Sequence, residues 1–398
     1  MNILFITDKN VNPILGGIER ITYVLADGFQ RLYGHRCFSA FTQRVDDTPS
    51  FFAEELLLTK GNERVELNDF VKKNSIDIII AQGFAKNVNS IIYKIRESIA
   101  DVPSCKLLFV FHNMPGFEYV RIDPKVLLYR ITHLQNLKMN LSYLGLQLFS
   151  PFIKPLLKSH LKSKYWPPYD VSDKVILLTE AFIPQYAKCA DVQPDEHFAA
   201  IGNAASFDQK LDPALYDGVK KKEVLCVARF DDRDKRVSLV LRIWAIIEKA
   251  QRFSDWKLRI VGYGEDEGYY RRLTKKLNLQ NVSFEGKKDP FEYYRTASLF
   301  MMTSAHEGFG IVLLEAQQMG AVPIAFDSFA TVHDIITDGV NGFLVQDGDI
   351  QAYASKMQTL MDDAGMRKQM AEAGIQMLDR FSVENITQKW NDLFESLK

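Results

Sequence analysis

The sequence predicts an α/β fold built on open sheets, with enough chain for two domains. Short apolar runs of strand length recur along it, with amphipathic helical segments between them. In each half, one such run leads into a glycine turn and then a helix. The length of 398 residues leaves room for two cores.

Ile3 to Ile6 reads as a doubly buried strand. A polar loop from Thr7 leads to Leu15-Gly16-Gly17-Ile18-Glu19-Arg20. Ile21, Val24, Leu25, Phe29 and Leu32 then recur at helical spacing. A glycine turn at a helix start lets backbone N–H groups approach a phosphate, although an ordinary loop and cap would read the same way. Ile76 to Ala81 and Leu107 to Phe111 are the next strands, and the second ends in His112-Asn113. Ligands of open α/β sheets bind beyond the carboxyl ends of strands, so His112 is well placed, although a lone histidine is more often structural.

Residues 120–169 differ from the rest, with eight basic side chains (Arg121, Lys125, Arg130, Lys138, Lys154, Lys158, Lys162, Lys164) against the single acid Asp123. Met139 to Ile153 carries no charge and holds Leu148, Phe149 and Phe152, but it is shorter than the roughly 18–20 residues that span a bilayer. Two readings stay open. The segment lies in an anionic membrane interface, or it is a helical pair with a solvated basic face.

Val175 to Leu178 is another strand, and Ile201-Gly202-Asn203 another turn. Val224 to Ala228 opens the second half, followed by Arg229 and Lys235. Two cations past a strand end suit an anion, Arg by a fork and Lys as a point charge. The acids Asp231, Asp232 and Asp234 between them also fit a plain charged loop. Leu258 to Val261 runs into Gly262-Tyr263-Gly264, a weak dinucleotide signal because Glu267 stands at the third glycine position. Leu299 to Ser304 is the strand before Glu307-Gly308-Phe309-Gly310-Ile311-Val312-Leu313-Leu314-Glu315. Gly308 and Gly310 admit backbone close to a ligand, and the following helix start favours an anion. Glu307 and Glu315, eight residues apart, are read as lying along one side over about two helical turns, where both meet hydroxyls. A ligand carrying sugar hydroxyls and a phosphate fits the stretch. Val322 to Phe326 is the next strand, and Asp338 to Val345 a turn and strand at the far side of the sheet.

Composition narrows the classes. A hydrophobic share of 47% with 25% charged residues describes an ordinary globular protein, and a net charge of −1 argues against general nucleic-acid binding. Cys37, Cys105, Cys189 and Cys226 form no CxxC pair, so they read as buried thiols in a reducing compartment rather than a zinc or redox site. The first strand starts at once, so no leader peptide is expected. Asp232-Arg233-Asp234 has the Asp-x-Asp form but reads as solvated loop, and no metal is expected.

Ser304-x-x-Glu307-Gly308-Phe309-Gly310, with Leu314-Glu315-Ala316, Gly320 and Val322-Pro323 behind it, resembles the E-x7-E signature of the retaining glycosyltransferases of family 4. Gly-Gly-x-Glu-Arg before a helix and Gly34-His35 is similar to that family's opening, and Arg229-x5-Lys235 to its diphosphate clamp. The chain departs from the pattern where Arg236 follows the lysine in place of glycine, and where Gly202-Asn203-Ala204 stands for Pro-Asn-Gly.

The resemblance implies the GT-B architecture: two Rossmann-like, doubly wound domains facing across a cleft. Residues 1–203 would form an acceptor domain carrying an insert at about 114–170, and 204–380 the nucleotide-sugar domain, with 381–398 a helix crossing back. It implies a sugar moved with retention from a UDP- or GDP-sugar to the hydroxyl of a lipid-linked or cell-surface glycan precursor. The nucleotide sugar is a substrate, and no cofactor is implied. Arg229 and Lys235 would meet the leaving diphosphate, Glu307 the sugar hydroxyls, and Glu315 the ribose. His112 would face the donor sugar, and Gly16 and Gly17 the phosphates. The donor would lie along Gly308, Phe309, Gly310, Ile311 and Val312, its base between the turns at Gly262 and at Phe284-Glu285-Gly286-Lys287. The expected location is cytoplasmic, peripheral to the inner membrane face. A GT-B epimerase and a non-catalytic nucleotide-sugar-binding protein are the alternatives.

Overall fold

The computed structural model describes residues 1–13, 16–45, 50–82, 88–121, 157–207 and 209–398. These form two compact units, one of Met1–Gly202 with Thr387–Lys398, the other of Asn203–Ile386.

The first unit is an α/β sheet of seven described strands: β1 Asn2–Lys9, β2 Arg36–Gln43, β3 Glu55–Leu57, β4 Ile78–Gln82, β5 Lys106–Val110, β6 Lys174–Leu177 and β7 Phe198–Ala200. Their spatial order is β3-β2-β1-β4-β5-β6-β7, and every pairing is parallel. Ile3, Leu4, Phe5 and Ile6 are fully buried, because parallel strands are covered on both faces. β1 runs on to Lys9, past the expected loop start at Thr7, because Thr7 pairs with Phe41 and Lys9 with Gln43.

The helix Gly17–Tyr33 buries Ile21, Leu25 and Phe29. It closes at Gly34, whose φ of 63° suits glycine, with Gly34 N–H donating to Gln30 O and His35 N–H to Phe29 O. From Thr387 onward the last helix, Val383–Ser396, belongs to this unit. Its Phe394 is fully buried against Phe29, with ring centroids 5.4 Å apart.

The described parts of the basic segment are the end of the helix Phe117–Arg121 and a helix over 157–171. Here Lys158 and Lys162 pair with Asp191, and Lys164 pairs with Glu118, so local acids offset these three cations. Met139 to Ile153, with Lys125, Arg130, Lys138 and Lys154, lies outside the described residues. Among the described residues no helix is long and apolar enough to cross a membrane.

The second unit holds β8 Lys221–Val227, β9 Lys257–Val261, β10 Val282–Gly286, β11 Ala297–Met302, β12 Val322–Asp327 and β13 Phe343–Gln346. Their order is β10-β9-β8-β11-β12-β13, again all parallel. The sequence order reverses between β1 and β4 in the first sheet and between β8 and β11 in the second. Open α/β sheets take their ligands beyond the carboxyl ends of the strands at such switch points. The stretch Phe284 to Gly286, expected as a turn, is the end of β10, and the turn follows it.

One charged ladder crosses β8, β9 and β10. Arg259 donates to Glu223 (3.0 Å) and to Glu285 (3.1 Å), and Glu285 also accepts from Ser283 (2.7 Å) and Tyr293 (2.9 Å). Burial alone would raise the Glu285 pKa. The hydrogen bonds from Ser283, Tyr293 and Arg259 outweigh it and bring the carboxyl down to about 2. A depressed carboxyl stabilises the fold above its unfolded pKa, and that contribution is lost as pH falls through the folded value. Glu285→Gln should therefore lower the melting temperature at pH 7 and leave a shallower loss of stability between about pH 4.5 and 2. Thermal melts across that range check it; identical acid limbs would count against the ladder.

Candidate active site

The loop after β11 carries Glu307 and leads into the helix that carries Glu315. Its base is fixed by hydrogen bonds to backbone: Ser328 Oγ donates to Ser304 O (2.6 Å), and Thr331 Oγ1 to Phe309 O (3.1 Å). Phe309 is buried against Phe381. Gly310 has φ +92°, a left-handed conformation open to glycine, and it starts the helix Ile311–Gln318. Only part of the Glu307–Glu315 spacing is therefore helical. Glu307 stands in the loop before the helix, not two turns along it, because the turn at Gly310 intervenes. Glu315 lies inside the helix at 1% exposure, with Oε1 accepting from Ser206 Oγ at 2.7 Å.

The β8 loop meets the β11 loop at the switch point. Lys235 Nζ lies 2.5 Å from Glu307 Oε1, both side chains largely shielded from solvent. Arg229 reaches outward, its side chain 61% exposed, with Nη2 3.3 Å from Asp234 and 3.5 Å from Asp231. Arg233 also pairs with Asp231 at 3.1 Å. Burial would raise the Asp231 pKa, but Arg233 and Arg229 turn the shift downward. Asp234 faces His306 as well, with Oδ1 3.5 Å from Nε2.

The Asp-x-Asp acids are not solvated, contrary to the sequence expectation. Asp232 is buried, accepting from Ser238 N–H (2.9 Å) and Ser238 Oγ–H (2.7 Å) at the start of the helix Val237–Glu248. Among the described residues no cluster of His, Cys, Asp and Glu is arranged to hold a metal ion.

Arg236, where the sequence resemblance implies glycine, adopts φ +50°. That is the conformation glycine takes without penalty. Its guanidinium donates to Thr303 O (2.6 Å), Ser304 O (2.8 Å) and Asp347 Oδ1 (2.6 Å). Thr303 Oγ1 returns the tie to the Lys235 and Arg236 carbonyls, each at 3.0 Å. Arg236 thus binds the two site loops together.

The Gly262 turn is required by packing. A Cβ on Gly262 would lie 1.8 Å from Ala228 O, and one on Gly264 would lie 2.4 Å from Phe230 O. Between them Tyr263 is half exposed, with Lys287 Nζ 5.0 Å over its ring. The rim of this turn carries an aromatic face.

In the first unit, Gly16 and Gly17 stand at the N-terminus of the helix Gly17–Tyr33. The Glu19 carboxylate folds back to the spot a Cβ on Gly16 would fill, 2.4 Å away. His112 follows β5, and its Nε2 lies 2.7 Å from Gln82 Oε1 at the end of β4. Thr22 Oγ1 donates to the same oxygen at 3.2 Å. Nε2 and the Gln82 side-chain amide thus form one hydrogen bond, its direction set by the imidazole tautomer. Burial brings the His112 pKa down to about 4. Gln82, Asp234 and Ser206 were not among the site residues expected from sequence.

Residues 209–377 match the family described as Glycosyl transferases group 1. The amylovoran biosynthesis glycosyltransferase AmsD of Erwinia amylovora is 29% identical over 230 residues, 56% of this chain and 63% of that protein. The lipopolysaccharide core biosynthesis glycosyltransferase LpsE of Rhizobium meliloti is 30% identical over 210 residues, 52% of this chain and 58% of its own length. The chain thus spans less than two thirds of these curated relatives. Among solved structures, Anabaena Alr3699/HepE in complex with UDP-glucose superposes with a TM-score of 0.70 at 17% identity, covering 100% of both chains. WaaG, a glycosyltransferase involved in lipopolysaccharide biosynthesis, gives 0.67 at 18% identity over 98% of this chain and 99% of its own. The fold is GT-B, with two Rossmann-like α/β domains.

The His112 environment has a measurable consequence. Its pKa of about 4 lies below the ordinary 6.5, so the imidazole stays neutral at pH 7. A lowered histidine pKa gives stability that is present above pH 6.5 and lost as pH falls toward 4. NMR titration should show no protonation of His112 between pH 7 and 5.5. A midpoint above 6 would show that the ring is not packed as described.

Proposed function

We propose that this protein is a retaining glycosyltransferase that moves a sugar from a UDP- or GDP-sugar to an acceptor hydroxyl of a lipid-linked or cell-surface glycan precursor. One observation carries the reading: Lys235 and Glu307 meet at the carboxyl ends of β8 and β11, with Arg229 beside them and a helix start at Gly310. Cations for a diphosphate and a carboxylate for hydroxyls thus stand together at the switch point. The names of AmsD and LpsE support glycan synthesis, and the UDP-glucose complex of HepE supports a uridine donor.

In this mechanism the bond between the sugar's anomeric carbon and the diphosphate breaks as the acceptor oxygen bonds to that carbon. The acceptor proton passes to a departing phosphate oxygen on the same face. Charge grows on the diphosphate, and Arg229, Lys235 and the N–H groups at the start of Ile311–Gln318 stabilise it. Fixed charges aimed at developing charge are often the largest catalytic term. Glu307 takes sugar hydroxyls once Lys235 turns to phosphate. Neutral His112 meets a sugar hydroxyl. Glu315 serves the ribose, and the Ser206 hydroxyl must yield to it, since it holds Oε1 in this structure. Gly16 and Gly17 approach the phosphates when Glu19 swings away, and Gly262, Lys287 and the exposed Tyr263 ring border the base.

Calorimetry with UDP, GDP and ADP tests the donor side. Arg229→Ala and Lys235→Ala should each weaken diphosphate binding by about 1.5–3 kcal/mol, the worth of a charged hydrogen bond. Glu307→Gln should cut transfer far more than diphosphate affinity, and the product should keep the donor's anomeric configuration by NMR. Unchanged affinity in both cation variants would remove the assignment.

A further inference from the structure

Asp234 interrupts the cation clamp. Its carboxylate is 14% exposed, whereas the Arg229 side chain that it holds at 3.3 Å is 61% exposed. The acid is anchored by its backbone, with Ala305 N–H donating to Asp234 O (2.8 Å) and Asp234 N–H donating to Asp231 O (3.2 Å). The arginine is the partner free to swing. Asp231, the other carboxylate near Arg229, is taken up by Arg233 through three hydrogen bonds. Asp234 also faces His306, the neighbour of Glu307, so its charge lies between the two loops that hold the site.

We propose that Asp234 is a positioning residue that competes with phosphate for Arg229 and thereby sets how tightly the nucleoside diphosphate product is held. This rests on the glycosyltransferase reading above. A ligand phosphate that recruits Arg229 either breaks the Arg229–Asp234 pair or sits beside the carboxylate. Both oppose binding, and the second grows with ligand charge. The free nucleoside diphosphate ends in an unesterified phosphate and carries more negative charge than the donor, whose terminal phosphate is esterified to sugar. Asp234 therefore weakens the product more than the donor. In enzymes limited by product release, such a bias raises turnover.

Asp234→Asn keeps the side-chain shape and removes the charge. It should bind UDP about fivefold more tightly, gain less for UDP-glucose, and show a lower kcat with stronger inhibition by UDP. In an Arg229→Ala background the same change should bring little gain, which a double-mutant cycle reads directly. Asp234→Ser serves as a second variant should the asparagine misfold. Wild-type protein that binds UDP, alongside folded Asp234 variants that bind it no more tightly, would overturn this inference alone. So would a gain of equal size without Arg229. Wild-type protein that binds no nucleoside diphosphate would overturn the functional reading and this inference together.

Discussion

Everything at the second domain's switch point depends on Arg236. In a left-handed backbone conformation a side-chain-bearing residue costs roughly 1–2 kcal/mol. Its guanidinium offsets that with three hydrogen bonds, to two carbonyls of the β11 loop and to Asp347. Bonds from a charged donor are worth about 1.5–3 kcal/mol each, so the balance favours the strained shape. The Lys235–Glu307 contact follows from it, because Lys235 and Arg236 are neighbours and Thr303 fastens both of their carbonyls. Glycine would make this turn without penalty; here the turn is locked by a side chain.

The site is charge-balanced before any ligand arrives. Lys235 faces Glu307, while Arg229 and Arg233 face Asp231 and Asp234. On the function proposed above, a diphosphate enters by exchange, displacing carboxylates rather than meeting bare cations. Exchange lowers the affinity that two cations and a helix start could give. It also limits the cost of holding like charges close together in a partly shielded site.

Much of the fold was legible because parallel strands are apolar on both faces. The cores of β1, β4, β5, β6, β8, β9, β11 and β12 stand out as short aliphatic or aromatic runs. β2 was not read as a strand because Ser39, Thr42 and Gln43 break its run, although Ser39 is fully buried. β3 and β7, at three residues each, are too short to announce themselves. The site was legible as residue types at strand ends, less so as geometry. The spacing of Glu307 and Glu315 said nothing of the turn at Gly310 that separates loop from helix. Asp232 looked solvated because its partner, the start of the next helix, is set by the fold of the loop. Gln82 and His112 lie 30 residues apart and meet only because β4 and β5 pair in register. Ser206 reaches Glu315 across 109 residues, and no local pattern marks it.

The last helix has a bearing on synthesis. Tyr33 bonds to Gln388 across 355 residues, and Phe394 completes the packing over Phe29. A chain leaves the ribosome N-terminus first, and domains generally fold as they emerge. The sheet of the first unit can form early, but the patch around Phe29 stays uncovered until the helix Val383–Ser396 has been made. During that interval the nascent protein shows apolar surface, so a chaperone or a pause in translation has its greatest effect there. A truncation that spares the whole second unit would still leave the first one unfinished.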